Sequence, residues 1–134
     1  MDTTHPAELE FYQKIGKLFY AVAAADNVVR KAEYDMLLDI VSSHWMNVDE
    51  VEDEFHSDAA FQIEIVFGWL DYNNAQADDC FEEFREFKME HENLFDDKRK
   101  KLIWKTAHAI ADAFAGTNKS ELVLLSKLKL TLSS

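Results

Sequence analysis

The stretch Phe19-Tyr20-Ala21-Val22-Ala23-Ala24-Ala25-Asp26-Asn27, with Glu33 six residues further on, narrows what this chain can become more than any other. Small side chains at Ala21 and Ala23 to Ala25 let a second helix approach closely, provided the stretch is itself helical. The residues before it satisfy that condition: Leu9, Tyr12, Ile15, Phe19 and Val22, with Leu18 and Ala23 beside them, recur at the spacing that keeps one helix face inward. Thr3 or Thr4 followed by Pro6 marks the start, because proline suits the first helical turn, where its missing N–H costs nothing. Asp26-Asn27 marks the end, since Asn tolerates the left-handed conformation of many helix C-termini and both side chains compete for backbone hydrogen bonds. The spacing predicts a helix from Pro6 to about Ala25, a tight acidic turn, and a second helix over Lys31 to Trp45. Tyr34, Leu37, Leu38, Val41 and Trp45 form the inner face of that second helix.

Helical periodicity continues to the C-terminus. Asn47 and Glu50 have capping-box spacing and open a short acidic helix through Phe55, after which Ser57 or Asp58 caps the next. That next helix, Ala59 to Tyr72, carries Phe61, Ile63, Ile65, Val66, Phe67, Trp69 and Leu70; apolar nearly all round, it is expected to be the buried central one. Beyond a loop at Asn73-Asn74, the positions Ala77, Cys80, Phe81, Phe84, Phe87, His91, Leu94 and Phe95 share one face. A further helix places Leu102, Ile103, Ile110 and Phe114 inward and closes at Gly116. The last begins near Lys119 with Leu122, Leu125 and Leu128 inward. Leu128 to Leu132 alternates with strand period, but no other segment could pair with it, so a helix fraying toward Ser134 is expected. Three Gly and one Pro leave little punctuation for an all-β fold, and 48% apolar residues, ten of them Phe, supply one core without staples. The expected fold is all-α, a compact bundle of about seven helices in a single domain over residues 1–134.

Charge narrows the partners. The formal net charge is −12, and Asp49 to Asp97 holds seventeen acidic residues against Arg85 and Lys88, a segment charge of −15, while the remainder carries +3. Such a surface repels phosphate backbones and anionic headgroups, so the expectation is no nucleic acid and no membrane insertion. Cations or a protein partner with a basic patch are its natural complements. No stretch approaches the roughly 18 uninterrupted apolar residues of a membrane span, and no basic leader opens the chain. One cysteine, Cys80, cannot staple the fold and fits a reducing compartment, so a cytoplasmic location is expected.

Two acidic features are candidate sites. Asp26 and Glu33 flank the first turn and could offer oxygen ligands to a divalent cation such as Ca²⁺ or Mg²⁺, although capping is the simpler role for both and no calcium-loop motif is present. Asp78, Asp79, Glu82, Glu83, Glu86 and Glu90 form a carboxylate face. It is either a solvated helix side or a docking surface for a basic partner, and Lys98 to Lys101 of the same chain could partly satisfy it. His56 with Glu52 and Asp53, and His108 with Asp112, share helical faces and could ligate a transition metal, but surface ion pairing is the simpler role, and no paired Glu-x-x-His motif of a di-iron bundle exists. His44, His91 and His108 lie beside inward positions, and Cys80 on the apolar stripe is an inert thiol. A Gly-x-Ser-x-Gly elbow, a phosphate loop and a dinucleotide fingerprint are all missing, so no enzyme is expected.

At an offset of 88 residues Glu33 falls on Glu121, Leu37 on Leu125 and Ile40 on Leu128, while Ala21 to Ala25 fall on Ala109 to Ala113. This is a degenerate two-fold internal repeat of helix, turn, helix, in which Asp26 meets Phe114 and Asp112 stands earlier. Tyr20-Ala21-Val22-Ala23-Ala24-Ala25-Asp26-Asn27, with Glu33 seven positions after Asp26, resembles the first repeat of the TerB-like domain family, named from the bacterial tellurite-resistance protein and also found in the DjlA co-chaperone. The specific likeness covers about fifteen residues. It implies a bundle of about seven helices in the bacterial cytoplasm, associated with tellurite resistance and stress responses, whose acidic surface binds metal ions or protein partners. Asn27 stands where the family usually has Gly, and Phe114 where the second repeat keeps its Asp, which weakens a paired-acid site drawn from both repeats. The J-domain tripeptide is absent, since His5-Pro6 is followed by Ala7. The sequence thus points to a non-enzymatic stress-response module that binds a protein partner, or alternatively to a metal-binding or metal-sensing domain at Asp26 and Glu33.

Overall fold

A computed structural model describes residues 6–25, 31–40, 54–113 and 119–133, and every element in them is helical. In chain order they are α1 (Pro6–Ala23), α2 (Lys31–Ile40), α3 (Glu54–Tyr72), α4 (Ala77–Glu90), a 3₁₀ turn (Glu92–Leu94), α5 (Asp97–Ala111) and α6 (Lys119–Ser133). No helix among the described residues is long and apolar enough to cross a membrane.

The small residues of α1 explain the arrangement. Every residue from Leu18 to Ala24 is buried, as are Phe11, Tyr12, Ile15 and Gly16, so this helix is covered on almost all sides. All five other α-helices contact it. Helix α3 comes close at Gly16, where an added Cβ would lie 3.0 Å from the Ile63 carbonyl oxygen and 3.1 Å from Val66 Cβ. Further along, Tyr20 packs edge-on against Phe67 and its hydroxyl donates to the Ala75 carbonyl at 2.8 Å, which fixes the turn between α3 and α4. In that turn Asn74 takes the left-handed conformation with φ 53°, as Asn does more readily than most residues.

At the other end of α1, Phe11 meets Phe95 edge-to-face at 5.1 Å, and Phe95 meets Phe84 at 5.9 Å. Arg99 lies buried over the Phe11 ring at 4.4 Å and donates from Nη1 to the Leu94 carbonyl. Asp96 caps α5 by accepting from the Arg99 N–H at 2.8 Å. These contacts seat the start of α5 on α1, and α2 and α6 then pack against α5 as well.

Three expectations need correction. The central buried helix is α1, not Ala59 to Tyr72: α3 buries Ile63, Phe67 and Leu70 against α1 but leaves Phe61, Ile65, Trp69 and Tyr72 exposed on its outer side. A helix apolar all round can be buried on any side, and here α1 occupies only one. No cap interrupts the chain at Ser57 or Asp58, since α3 runs unbroken from Glu54. Leu122 is 58% exposed, and Leu124, Leu125, Leu128 and Leu132 form the inner face of α6 instead. The final segment is helical to Ser133, as expected from its lack of a pairing strand. Val41, Trp45, the Asn47–Glu50 capping box, Phe114 and Gly116 lie outside the described residues.

The ends of α1 and α5 (23 and 111) and the starts of α2 and α6 (31 and 119) share the 88-residue offset seen in the sequence. Glu33 and Glu121 each stand third in their helix, and each is 1% exposed.

The two glycines in the helix packing should respond oppositely to Ala. At Gly16 the backbone carbonyl of Ile63 cannot move aside, so an overpacking cost of about 1–3 kcal/mol should outweigh a helix-propensity gain of about 1 kcal/mol. At Gly68 a Cβ would meet only Tyr34 Oη at 3.5 Å, an ordinary contact. Urea unfolding should therefore show Gly16→Ala destabilised, and Gly68→Ala stabilised by about 0.5–1 kcal/mol.

Candidate functional site

Helix α4 forms because Cys80, Phe81, Phe84 and Phe87 recur at helical spacing, and all four are buried against α1 and Phe95. Gln76 at its N-cap gives no side-chain hydrogen bond. Asp78 and Asp79 stabilise the first turn instead, where exposed N–H groups and the positive end of the helix dipole favour carboxylates.

The six carboxylates expected to form a docking face fall into two groups. Glu83 points back toward α1, where it accepts from Lys17 and, at 3.4 Å, from Lys14. The Lys17 hydrogen bond is the main reason its carboxyl lies below the ordinary carboxylate range, aided by the charges of both lysines and opposed by partial burial. Asp78, Asp79, Glu82, Glu86 and Glu90 are exposed. Of these, among the described residues, only Glu82 is in an ion pair, with Arg85 at 2.8 Å on the same helix. Among the described residues, the cations ion-paired to α4 carboxylates are therefore Lys14, Lys17 and its own Arg85, while its buried Lys88 reaches Glu92 at 2.9 Å. Lys100 and Lys101 do not cover this face; they line a hollow of 250 Å³ with Trp104 and Lys129.

Cys80 sits beneath the carboxylate face. Burial pushes its thiol up to about 11, with Glu83 and Asp79 adding to the shift and Lys17 partly opposing it. A thiol so protonated is a poor nucleophile near neutral pH, in keeping with the inert role expected of it.

Glu33 is in the first turn of α2 and buried, whereas Asp26 lies outside the described residues. His44, and Glu52 and Asp53 beside His56, also lie outside them. His91 is half-buried, stacked on Phe87 at 4.2 Å with Nδ1 3.1 Å from the Phe87 carbonyl oxygen. His108 and Asp112 are exposed, and the His108 ring lies against Trp104. Among the described residues no group of three or more His, Cys, Asp or Glu side chains could hold a metal ion.

Sequence reasoning missed the outer stripe of α3, in which Ile65, Trp69 and Tyr72 are 60%, 64% and 86% exposed. Its signal was present as an apolar helix with more than one apolar side, a pattern shared by core helices and binding helices. Comparison with protein-family models, curated proteins and solved structures returns no match for this chain.

Because the Glu83 carboxyl is lowered in the folded chain, its ion pairs contribute stability above the ordinary carboxylate range and lose it as pH falls through the lowered value. Its half-exposed side chain limits the effect. Glu83→Gln should cost at most about 1 kcal/mol at pH 7. Urea titrations repeated down to acid pH should show the two proteins converging once Glu83 is protonated.

Proposed function

We propose that this chain is a non-enzymatic, cytoplasmic interaction module of bacterial stress response, of TerB-like type, that binds a protein partner with a basic patch through the outer face of α4. One observation carries the reading: Asp78, Asp79, Glu86 and Glu90 stand exposed on one helix with no ion pair among the described residues. Concentrated like charge destabilises the compact state unless a cation or a basic surface meets it, so such a face is worth its cost where a partner gains from it. Charge of this kind also steers a basic partner and raises the association rate.

Support for the TerB-like part is the residue pattern from Tyr20 to Asn27, together with the 88-residue offset that relates α1 and α2 to α5 and α6. Matching burial of Glu33 and Glu121 supports reading these as two copies of one helix pair. In that reading each glutamate serves its own helix start, as the third residue of a capping arrangement does.

The test uses a fluorescein-labelled lysine–alanine helical peptide and fluorescence anisotropy. Affinity should fall by about tenfold between 50 and 300 mM NaCl, because the Debye length over which exposed charges act shortens from about 14 Å to about 6 Å. Glu86→Lys/Glu90→Lys should weaken binding severalfold more than the charge-matched Glu10→Lys/Asp112→Lys, whose positions are exposed on α1 and beyond the end of α5. Equal effects from the two variants would mean that net charge alone attracts the peptide and would remove α4 as the docking face.

A further inference from the structure

Helix α4 rests on α1 and α6 rests on α5 and α1, with little direct contact between α4 and α6. The space between them contains two hollows, of 290 and 320 Å³. Ala77 and Asp78 at the start of α4 share the first with Val123 near the start of α6. Met89 near the end of α4 shares the second with Leu130 near the end of α6. The two helices therefore run parallel, and Lys127 lines both hollows, joining them into one groove. From Ala77 to Met89 its length is about 18 Å at 1.5 Å per helical residue.

The groove has an apolar base and oppositely charged walls. Phe81 lies at its floor, 2% exposed, while Val123, Met89 and Leu130 project along it at 51%, 62% and 74% exposure. Val123 and Leu130 are seven residues apart and so share one face of α6, two turns from each other. Asp78 and Glu82 stand on the α4 wall together with Arg85, which is paired to Glu82 at 2.8 Å, so that wall keeps one net negative charge; Lys119 and Lys127 stand on the α6 wall.

We infer that this groove seats an amphipathic helix of the partner, about three to four turns long. Its apolar face covers Val123, Met89 and Leu130, its basic edge lies along α4, and its acidic edge lies along α6. Helices bind such grooves through side chains at positions i, i+3 or i+4 and i+7, which matches the two-turn spacing of Val123 and Leu130. Opposite charges on the two walls fix the direction in which the helix lies, since reversing it would set like charge against like. The exposed apolar stripe on α3 of a second copy is a poorer occupant, because it carries Glu64 and Asp71 and no basic residue between Phe61 and Tyr72 to face the α4 wall. The inference rests on the basic-partner reading above and adds the partner's secondary structure and its seat.

The probe is a fluorescein-labelled fourteen-residue helical peptide with leucines at the groove-facing positions, lysines along one edge and glutamates along the other; a scrambled peptide of the same composition is its control. Met89→Gln/Leu130→Gln removes two apolar contacts without changing charge, and circular dichroism verifies that these exposed substitutions leave the helices intact. The amphipathic peptide should bind wild type saturably, and about tenfold more weakly to the Gln variant, as for loss of central apolar contacts. The scrambled peptide should bind as weakly as that. The lysine–alanine peptide should bind both proteins equally. Equal affinity of the amphipathic peptide for wild type and variant, or no saturable binding, overturns the groove proposal. So does a concentration-dependent dimer, seen by light scattering, that the Gln variant abolishes, because the groove would then hold a second copy. Failure of the lysine–alanine peptide to bind wild type counts instead against the acidic-face reading, so the two failures are separable.

Discussion

Burial of α1 is the constraint on which the remaining helices depend. Phe11, Tyr12, Ile15, Leu18 and Phe19 are each at most 1% exposed, and fully burying a side chain of that size is worth roughly 1.5–3 kcal/mol. One helix can collect burial on several sides only if its neighbours come close. Gly16 and the alanines from Ala21 to Ala24 provide that access, and the contact of Gly16 with the Ile63 backbone shows how little room is spare. The aromatic chain Phe11–Phe95–Phe84 then ties the start of α1 to α4 and to the 3₁₀ turn with edge-to-face geometry. Arg99, laid over Phe11, joins the start of α5 to the same cluster.

Charge is distributed around this core by the same contacts. Lys14 and Lys17 lie on the side of α1 that faces α4, and they take Glu83 out of the acidic face and use it to hold the two helices together. Lys88 is buried in α4 and reaches Glu92 just beyond the helix end. With these cations committed inward, the outward carboxylates of α4 meet solvent, and the groove beside them has an acidic wall and a basic wall. The acidic face and the groove are thus consequences of one arrangement: α4 leans on α1, and α6 on α5 and α1, more than on each other. A face suited to attraction at long range lies next to a slot suited to apolar contact at short range.

The periods of the helices and much of the core were legible before any coordinates. Tyr12, Ile15, Phe19 and Val22 in α1, Phe81, Phe84 and Phe87 in α4, and Ile103 and Ile110 in α5 are all buried where their spacing placed them. The carboxylate face was legible too, because Asp78, Asp79, Glu82, Glu86 and Glu90 stand opposite that phenylalanine stripe on one helix. Glu83 was not separable from them by spacing: its partners Lys14 and Lys17 are more than sixty residues away. The choice of central helix failed for a related reason. Ala59 to Tyr72 is richer in large apolar residues than α1, but centrality was decided by which helix its neighbours could approach.

The sequence by itself determined that the described segments are helices, where several of them start and stop, and that α4 carries an acid-rich side, because helical period, capping and local charge act over a few residues. Only the tertiary structure decided that α1 is enclosed while the α3 stripe faces outward, that Glu83 is spent on α1, and that Val123, Met89 and Leu130 line a groove of mixed charge. Those outcomes depend on contacts between residues far apart in the chain, and a local pattern specifies a face without specifying what that face will meet.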